Sequence, residues 1–306
     1  FWVGLLLLPL LSLLSIMRAT MMGFQRVVVG QVPDLLVQPV FFAILLGVVA
    51  LVPVVPVNAP TVVGLSGISA LVALLSAVVI LRIAWPEEIG RAKPEYFLRA
   101  WMRSAGTFVT ISGLNVVGTS LGVIMLGSMS GAQAAGVFGI ANAAAALIVL
   151  PLVAINTPLA PAVSTVFSES NKVELQRLAT KAARSAFLLC LPLALIYVLF
   201  GKHLLWVFGE EFTAGYTVLV ILTVGQMFNA AMGSVGVLLQ MTGHERDVAV
   251  VRSVAVALNL ILNLVLIPRL GIAGAALGAT ASMIFWNSSM AFLVHRRLGI
   301  RCTIVA

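Results

Sequence analysis

Long, almost uninterrupted runs of apolar residues recur along the chain, with short polar stretches between them. Each run approaches the roughly 20 residues that an α-helix needs to cross the hydrocarbon core of a bilayer. Membrane β-barrel strands would instead alternate over about ten residues. The pattern therefore predicts nine membrane-spanning helices, at residues 1–17, 39–57, 61–83, 107–129, 136–166, 186–200, 216–241, 248–267 and 271–294.

The fifth run is longer than one straight span needs and contains Pro151, Pro158 and Pro161. Proline removes a backbone donor and clashes with the preceding helical turn. We therefore expect a bent helix at this position.

Composition supports a membrane protein and excludes an ordinary water-soluble one. Of the 306 residues, 61% are hydrophobic and only 9% are charged. Soluble folds carry charge on about a quarter of their residues. The fold class expected is an all-α, polytopic helical membrane protein with about nine transmembrane helices.

The basic residues predict the orientation. If the loops alternate between two sides, sixteen of the 18 Lys and Arg residues fall on one side, and only Lys202 and Arg269 fall on the other. Such a bias marks the cytoplasmic side, so the net charge of +8 is mostly an orientation signal and not a nucleic-acid-binding patch. Four tryptophans fall near predicted interfaces, as in aromatic belts: Trp2, Trp85, Trp101 and Trp206.

The same alternation starts Phe1 outside, without an initiator Met or a basic leader. We therefore expect an N-terminally truncated chain. A signal peptide cleaved before Phe1 is the alternative.

An internal repeat gives a second reason to expect missing helices. The hexamer MMGFQR at 21–26 resembles MTGHER at 241–246, and both follow a span and enter a cytoplasmic loop. The third span opens with GLSG at 64–67 and the ninth with GIAG at 271–274. Chance similarity between glycine-rich helices is the alternative. If the repeat holds, residues 1–85 are the last three helices of an N-terminal lobe, and residues 86–306 are a complete six-helix C-terminal lobe with a cytoplasmic tail.

Polar side chains inside the spans form the candidate substrate path. On the seventh span Gln226, Asn229 and Gln240 share a predicted face with two glycines. Polar groups that faced lipid would be costly, so they must face protein or a wet cavity. They either join helices or line a hydrated route for a sugar. The amide candidates are Asn115, Asn142, Gln226, Asn229, Gln240, Asn259 and Asn263.

Arginines at the cytoplasmic span ends form the second part of the candidate path. Arginine can bind a phosphate group through two parallel hydrogen bonds. Orientation signalling and contact with anionic lipid are the alternative roles. The arginine candidates are Arg18, Arg26, Arg103, Arg184 and Arg252.

The sequence contains few candidates for catalytic or metal-binding residues. All ten acidic residues fall in predicted loops or at span ends, and His203, His244 and His295 are scattered. We therefore expect no catalytic residues, no metal site, no cofactor and no carboxylate for ion coupling within the spans. The two cysteines, Cys190 and Cys302, give no disulfide framework.

Three stretches resemble a known family. They are RVVVGQVPDLLVQ at 26–38, GQMFNAAMGSVGVLLQMTGHERD at 225–247 and NLILNLVLIPRLGIAGAALG at 259–278. They are similar to bacterial polysaccharide (O-antigen type) flippases of the multidrug/oligosaccharidyl-lipid/polysaccharide exporter superfamily. The resemblance implies two six-helix lobes, a V-shaped cavity and alternating access, and the chain would be an N-terminally truncated remnant of that arrangement.

The implied function is a transporter, not an enzyme, that flips an isoprenoid-pyrophosphate-linked oligosaccharide to the outer leaflet for surface polysaccharide synthesis. Its location would be the bacterial cytoplasmic (inner) membrane, and the polysaccharide polymerase machinery would be a partner. Two alternatives stay open. One is a multidrug exporter of the same superfamily, which should hold an intramembrane carboxylate, and the other is a non-transporting scaffold or assembly subunit.

Overall fold

The computed structural model describes residues 2–24, 26–51, 58–85 and 97–304, and all regular secondary structure in these ranges is helical. The chain divides into two compact units, Phe1–Tyr96 and Phe97–Ala306. The predicted all-α membrane class is confirmed. The assignment of residues 1–85 and 86–306 to two lobes of one transporter stays a prediction.

The described residues of the first unit form four α-helices. They are α1 (Trp2–Gly23), α2 (Val27–Val32), α3 (Gln38–Leu51) and α4 (Ala59–Ala84), and a π-helical turn at Pro33–Val37 joins α2 to α3. Helix α1 packs on α4, and the small side chains Ala73 and Ala77 bury Leu14 at this contact. Asn58 caps α4 by accepting a hydrogen bond from the Thr61 backbone amide at 3.1 Å.

The second unit contains the remaining helices. They are α5 (Leu98–Met129), α6 (Ala132–Leu147), α7 (Leu150–Ser168), α8 (Lys172–Trp206), a 3-10 turn (Glu210–Gly215), α9 (Tyr216–Met232), α10 (Val235–Met241), α11 (Glu245–Leu270) and α12 (Ile272–Leu298).

Helices α11 and α12 approach each other most closely at glycines. A Cβ at Gly274 would lie 2.3 Å from the Leu266 carbonyl oxygen, and one at Gly278 would lie 2.6 Å from Oδ1 of Asn263. Small residues permit this backbone approach, as is common between membrane helices.

Eight helical segments are long and apolar enough to span a membrane among the described residues. The nine predicted runs all correspond to apolar helices, but the first gives only the shorter Leu7–Gly23. Helices also extend beyond the predicted bounds. The second span begins at Val27 instead of residue 39, and the sixth begins at Lys172 instead of residue 186.

The fifth predicted span is interrupted, but the prolines act differently from the prediction. The interruption lies at Ile148 and Val149, between α6 and α7, and Pro151 is the second residue of α7. Pro158 and Pro161 lie inside α7, which continues through them. Pro151 sits in the first turn of α7, where its missing N–H has no intrahelical partner to lose.

The seventh predicted span is also interrupted, at Gly233 and Ser234 between α9 and α10. Gly233 has a φ of +72°, and a Cβ there would lie 2.7 Å from Cβ of Ala183. The Ser234 hydroxyl donates a hydrogen bond to Oδ1 of Asn156 across to α7. The predicted single polar face from Gln226 to Gln240 is therefore wrong, because the two residues belong to different helices.

The segment after α12 packs against this interruption. The Ile304 amide donates to the Ala231 carbonyl at 3.2 Å, and a Cβ on Gly233 would lie 2.9 Å from the Cys302 carbonyl oxygen. The last carbonyls of a helix lack intrahelical partners, so this segment satisfies one left by the end of α9. Ile300 and Cys302 are buried.

Several predicted features lie outside the described residues. They are Phe1, the end of the second predicted span at 52–57, Gln25 of the first hexamer, and 86–96, which holds the predicted lobe boundary. In the described residues, each hexamer spans a junction between two helices, the first from the end of α1 toward α2 and the second from the end of α10 into α11. Whether the hexamers mark a repeat stays a prediction.

Candidate functional site

A cavity of about 250 Å³ lies within the second unit, between α5, α6, α9, α11 and α12. Glycines on α5 leave room for the side chains that form its walls. A Cβ on Gly122 would lie 2.8 Å from the Phe138 ring, and one on Gly118 would lie 3.5 Å from Val256. The polar and aromatic lining residues are Asn115, Thr119, Phe138, Asn142, Gln226, Arg252, Asn259, Ser282 and Trp286.

Arg252 is the charged residue among those that line this cavity. It projects from the second turn of α11, and its guanidinium carbon lies 3.6 Å from the centroid of the Trp286 ring on α12. Its Nε is buried and has no hydrogen-bond partner among the residues that the structure describes. An arginine stacked on an aromatic face keeps its edge free for a ligand.

The carboxylates near the start of α11 interact with other residues. Asp247 accepts a hydrogen bond from Nε of Arg297 at 3.0 Å, and Glu245 accepts one from the Ser104 hydroxyl at 3.3 Å. Arg252 makes no ion pair within the described ranges. The cavity therefore has an uncompensated positive charge, which favours an anionic ligand.

Amide side chains from four helices surround the same space. Asn115 comes from α5, Asn142 from α6, Gln226 from α9 and Asn259 from α11. Nδ2 of Asn263 donates to Oδ1 of Asn259 at 2.8 Å, one helical turn away. This contact orients Asn259. Amides present both donors and acceptors, so the lining suits a ligand with hydroxyl groups.

Five of the twelve predicted path residues line this cavity, and the other seven do not. Asn229 and Asn263 are buried without lining the cavity. Oδ1 of Asn263 faces Gly278 at the α11–α12 contact, which is a packing position. Gln240 lies on α10, Arg26 and Arg103 are exposed, and the side chain of Arg184 donates to the Ile304 carbonyl at 3.1 Å.

Sequence reasoning missed two residues of the site, Ser282 and Trp286. They lie four positions apart on α12 and so share a helical face. The Ser282 hydroxyl is buried and has no hydrogen-bond partner within the described ranges. The available signal was the position of Trp286 in the middle of an apolar run, away from the span ends where the other tryptophans were placed.

Asp34 corrects the prediction that every carboxylate lies in a loop or at a span end. It sits in the π-helical turn within the candidate span Val27–Val49. Its Oδ2 pairs with Nη1 of Arg18 on α1 at 2.5 Å, and its side chain is 18% exposed. The opposite charge of Arg18 explains how a carboxylate is tolerated there.

Metal-binding geometry is absent from the residues that the structure describes. No group of three or more His, Cys, Asp or Glu side chains among them could hold a metal ion. The three histidines lie near helix ends, with His203 in the last turn of α8, His244 just before α11 and His295 in the last turn of α12.

Comparison with known proteins shows similarity to a family, to a curated protein and to a solved structure. Residues 114–265 match the MatE family model. A stretch of 130 residues is 29% identical to a protein of Haloferax volcanii named "Probable low-salt glycan biosynthesis flippase Agl15", covering 42% of this chain and 28% of that protein. A crystal structure described as a MATE in the bent conformation superimposes with a TM-score of 0.71 at 15% identity, covering 90% of this chain and 65% of the other.

These matches confirm the fold and the superfamily. The MatE match places residues 114–265, which include most of the cavity lining, in the predicted superfamily. This is a family of transporters and not of enzymes. The chain spans less than two thirds of the length of either protein, 28% of one and 65% of the other.

Proposed function

Because this chain is a multi-pass membrane protein with a MatE domain and a MATE-like fold, we propose that it is part of a flippase for a lipid-linked oligosaccharide. The cargo would carry a pyrophosphate between an isoprenoid tail and the sugars. The flippase would move it from the cytoplasmic to the outer leaflet of the bacterial inner membrane.

The observation that carries the proposal is the unpaired Arg252 among amides. The cargo's pyrophosphate is anionic, and its sugars are rich in hydroxyl groups. Arg252 supplies the positive charge, with a buried Nε that no group in the described part of the chain satisfies. Asn115, Asn142 and Gln226 supply exchangeable donors and acceptors in the same cavity. Moving such a head group through hydrocarbon without polar partners would cost tens of kcal/mol by solvation estimates.

The relative from Haloferax volcanii supports this choice, because its name describes a glycan biosynthesis flippase. In the proposed mechanism two lobes rock about the head group while the lipid tail stays in the bilayer. The second unit would be the C-terminal lobe, and the first unit would contribute the last helices of the N-terminal lobe. Polysaccharide polymerase machinery would receive the product.

The test compares Arg252→Ala and Arg252→Lys in the full-length protein, reconstituted into liposomes with a lipid-linked oligosaccharide. Flipping is measured as protection of the sugar from an added glycosidase. A hydrogen bond to a charged group contributes about 1.5–3 kcal/mol, so we expect R252A to lower flipping at least tenfold and R252K to retain part of it.

Arg246→Gln is the matched control, because Arg246 is an exposed arginine in the first turn of the same helix. It should flip normally. Normal flipping by a folded R252A would remove Arg252 from the mechanism, and with it the main support for an anionic cargo.

Asp34 favours a second candidate function, export of cationic amphiphilic drugs. An exporter of this type should hold a carboxylate within its spans, and Asp34 lies in one. Drug-susceptible cells that express the full-length protein distinguish the two functions. Resistance that is lost in Asp34→Asn but kept in R252A would favour drug export, and absence of resistance would favour the flippase.

A further inference from the structure

Three basic residues form one edge of a groove on α8, away from the cavity. Arg177, Lys181 and Arg184 follow each other at steps of four and three residues, so they share one face of the helix. The groove has a volume of about 500 Å³. Its other lining residues are Gln176, Thr180, Ser185 and Leu188.

The same face of α8 becomes apolar toward the other end of the helix. Leu188, Leu195 and Leu199 continue the spacing, and their exposed fractions are 64%, 51% and 69%. Exposed leucines on a membrane-spanning helix contact lipid chains. One helix face therefore carries a cationic end followed by an apolar stripe.

The length of α8 places the cations near a bilayer surface. From Arg184 to Trp206, the last residue of α8, the helix rises about 33 Å at 1.5 Å per residue. The hydrocarbon core is about 30 Å thick. With the exposed Trp206 at one interface, the three basic residues reach the head-group level of the other, on the side where most Lys and Arg are expected.

The groove is held in shape by the segment after α12. Nε of Arg184 donates to the Ile304 carbonyl at 3.1 Å, and Oε1 of Gln176 accepts from the Arg301 amide at 2.6 Å. Arg177 makes only a loose contact with Glu174, at 3.7 Å. Lys181 has no ion-pair partner among the described residues. Two of the three cations thus have little local compensation.

We propose that this groove binds an anionic phospholipid, with its phosphate on Arg177 and Lys181 and one acyl chain along Leu188, Leu195 and Leu199. Charge complementarity selects the head group, because cytoplasmic leaflets are rich in anionic lipids. A free phosphate offers the same charge, but it leaves the apolar stripe unused. The lipid would be a resident ligand on the outer face of the second unit, separate from any cargo in the Arg252 cavity.

The test measures lipid binding to the full-length protein in a mild nonionic detergent. The probes are phosphatidylglycerol, phosphatidylcholine with the same acyl chains, and inorganic phosphate, and the readouts are the melting temperature and the bound lipid counted by native mass spectrometry. The variant is Arg177→Gln/Lys181→Gln. The charge-matched control is Arg246→Gln/Arg296→Gln, which removes two exposed arginines of the same expected side.

We expect phosphatidylglycerol to raise the melting temperature of the wild type and the control, while phosphatidylcholine and phosphate have little effect. Each basic residue near an anionic surface changes binding about fivefold, so the variant should bind phosphatidylglycerol roughly tenfold or more weakly. Phosphate that stabilises as well as phosphatidylglycerol would overturn the lipid assignment, and so would undiminished binding by the variant. Leu188→Asn is a second variant, which should weaken phosphatidylglycerol binding without changing the charge.

Neither readout involves transport. Failure of this proposal would therefore leave the flippase proposal intact, and failure of flipping would not affect the lipid measurement.

Discussion

The guanidinium of Arg252 stacks on the ring of Trp286, 3.6 Å from the centroid, at the wall of the second unit's cavity. The stacking fixes the arginine without using its hydrogen-bond donors. Its charge therefore stays available to a ligand.

Trp286 should matter for affinity through this contact. A cation–π interaction contributes about 0.5–2 kcal/mol, so Trp286→Leu should weaken binding of a pyrophosphate-containing lipid by about two- to thirtyfold. Trp286→Phe keeps an aromatic face and should retain most of the affinity. Titration of the full-length protein with the lipid-linked cargo measures both. Equal affinities for the wild type and W286L would mean that the ring does not position Arg252.

The α11–α12 contact should tolerate no side chain at Gly274. Because a Cβ there would lie 2.3 Å from the Leu266 carbonyl oxygen, Gly274→Ala must separate the backbones and should destabilise the protein by about 1–3 kcal/mol. Gly139 on α6 is the control, since a Cβ there meets nothing within 4 Å. Gly139→Ala should be neutral or stabilising by up to about 1 kcal/mol. Thermal unfolding in detergent compares the two, and equal melting temperatures would contradict the contact.

Arg18 and Asp34 should be coupled energetically. Removing either charge alone leaves the other in a poorly solvated position, whereas removing both does not. Arg18→Gln and Asp34→Asn should each destabilise the protein, and the double variant should be less destabilised than the sum of the two. The coupling energy should be about 1 kcal/mol, since the Arg18 side chain is 40% exposed. Strict additivity in a double-mutant cycle would show that the pair contributes nothing.

Cys302 should behave as a poorly reactive thiol. Burial raises the pKa of its thiol to about 11, and the thiolate is the reactive form. In a Cys190→Ser background, a maleimide should therefore label the native protein slowly at pH 7–8 and rapidly after unfolding.

The raised pKa of Cys302 also predicts the direction in which the stability of the folded protein changes with pH. A folded-state pKa above the unfolded value means that the stabilising contribution is complete at neutral pH and is lost as the pH rises toward about 11. The melting temperature should fall over that range, and Cys302→Ser should reduce the fall. Fast labelling of the folded protein at pH 7 would contradict the buried position.

The apolar runs predicted the membrane spans, because a helix that crosses a bilayer must have a certain length and an apolar composition. Helix ends outside the hydrocarbon were harder to predict. The first turns of α8, from Lys172 onward, carry too many charges to count as a span, yet they continue the same helix. Asp34 was placed outside the predicted spans, because its compensation by Arg18 is a tertiary contact that hydropathy does not contain.

The interruptions and the cavity depend on contacts between distant segments. The helix break at Gly233 lies against Ala183 and Cys302, which come from distant segments, and the spacing of Gln226 and Gln240 cannot reveal such contacts. The predicted path residues include five that line the cavity, among them Asn115, Asn142 and Asn259. Trp286 was missed because an aromatic residue in an apolar run resembles ordinary core.

The hydrogen bond between the Ile304 amide and the Ala231 carbonyl also limits when the second unit can be completed during synthesis on the ribosome. Ala231 is made and inserted well before Ile304 is polymerised, and α10, α11 and α12 are made in between. The Ala231 carbonyl at the end of α9 can therefore accept this hydrogen bond only after Ile304 has been synthesised. The second unit can reach its final form only after insertion of all its helices, so its closing step is post-insertional.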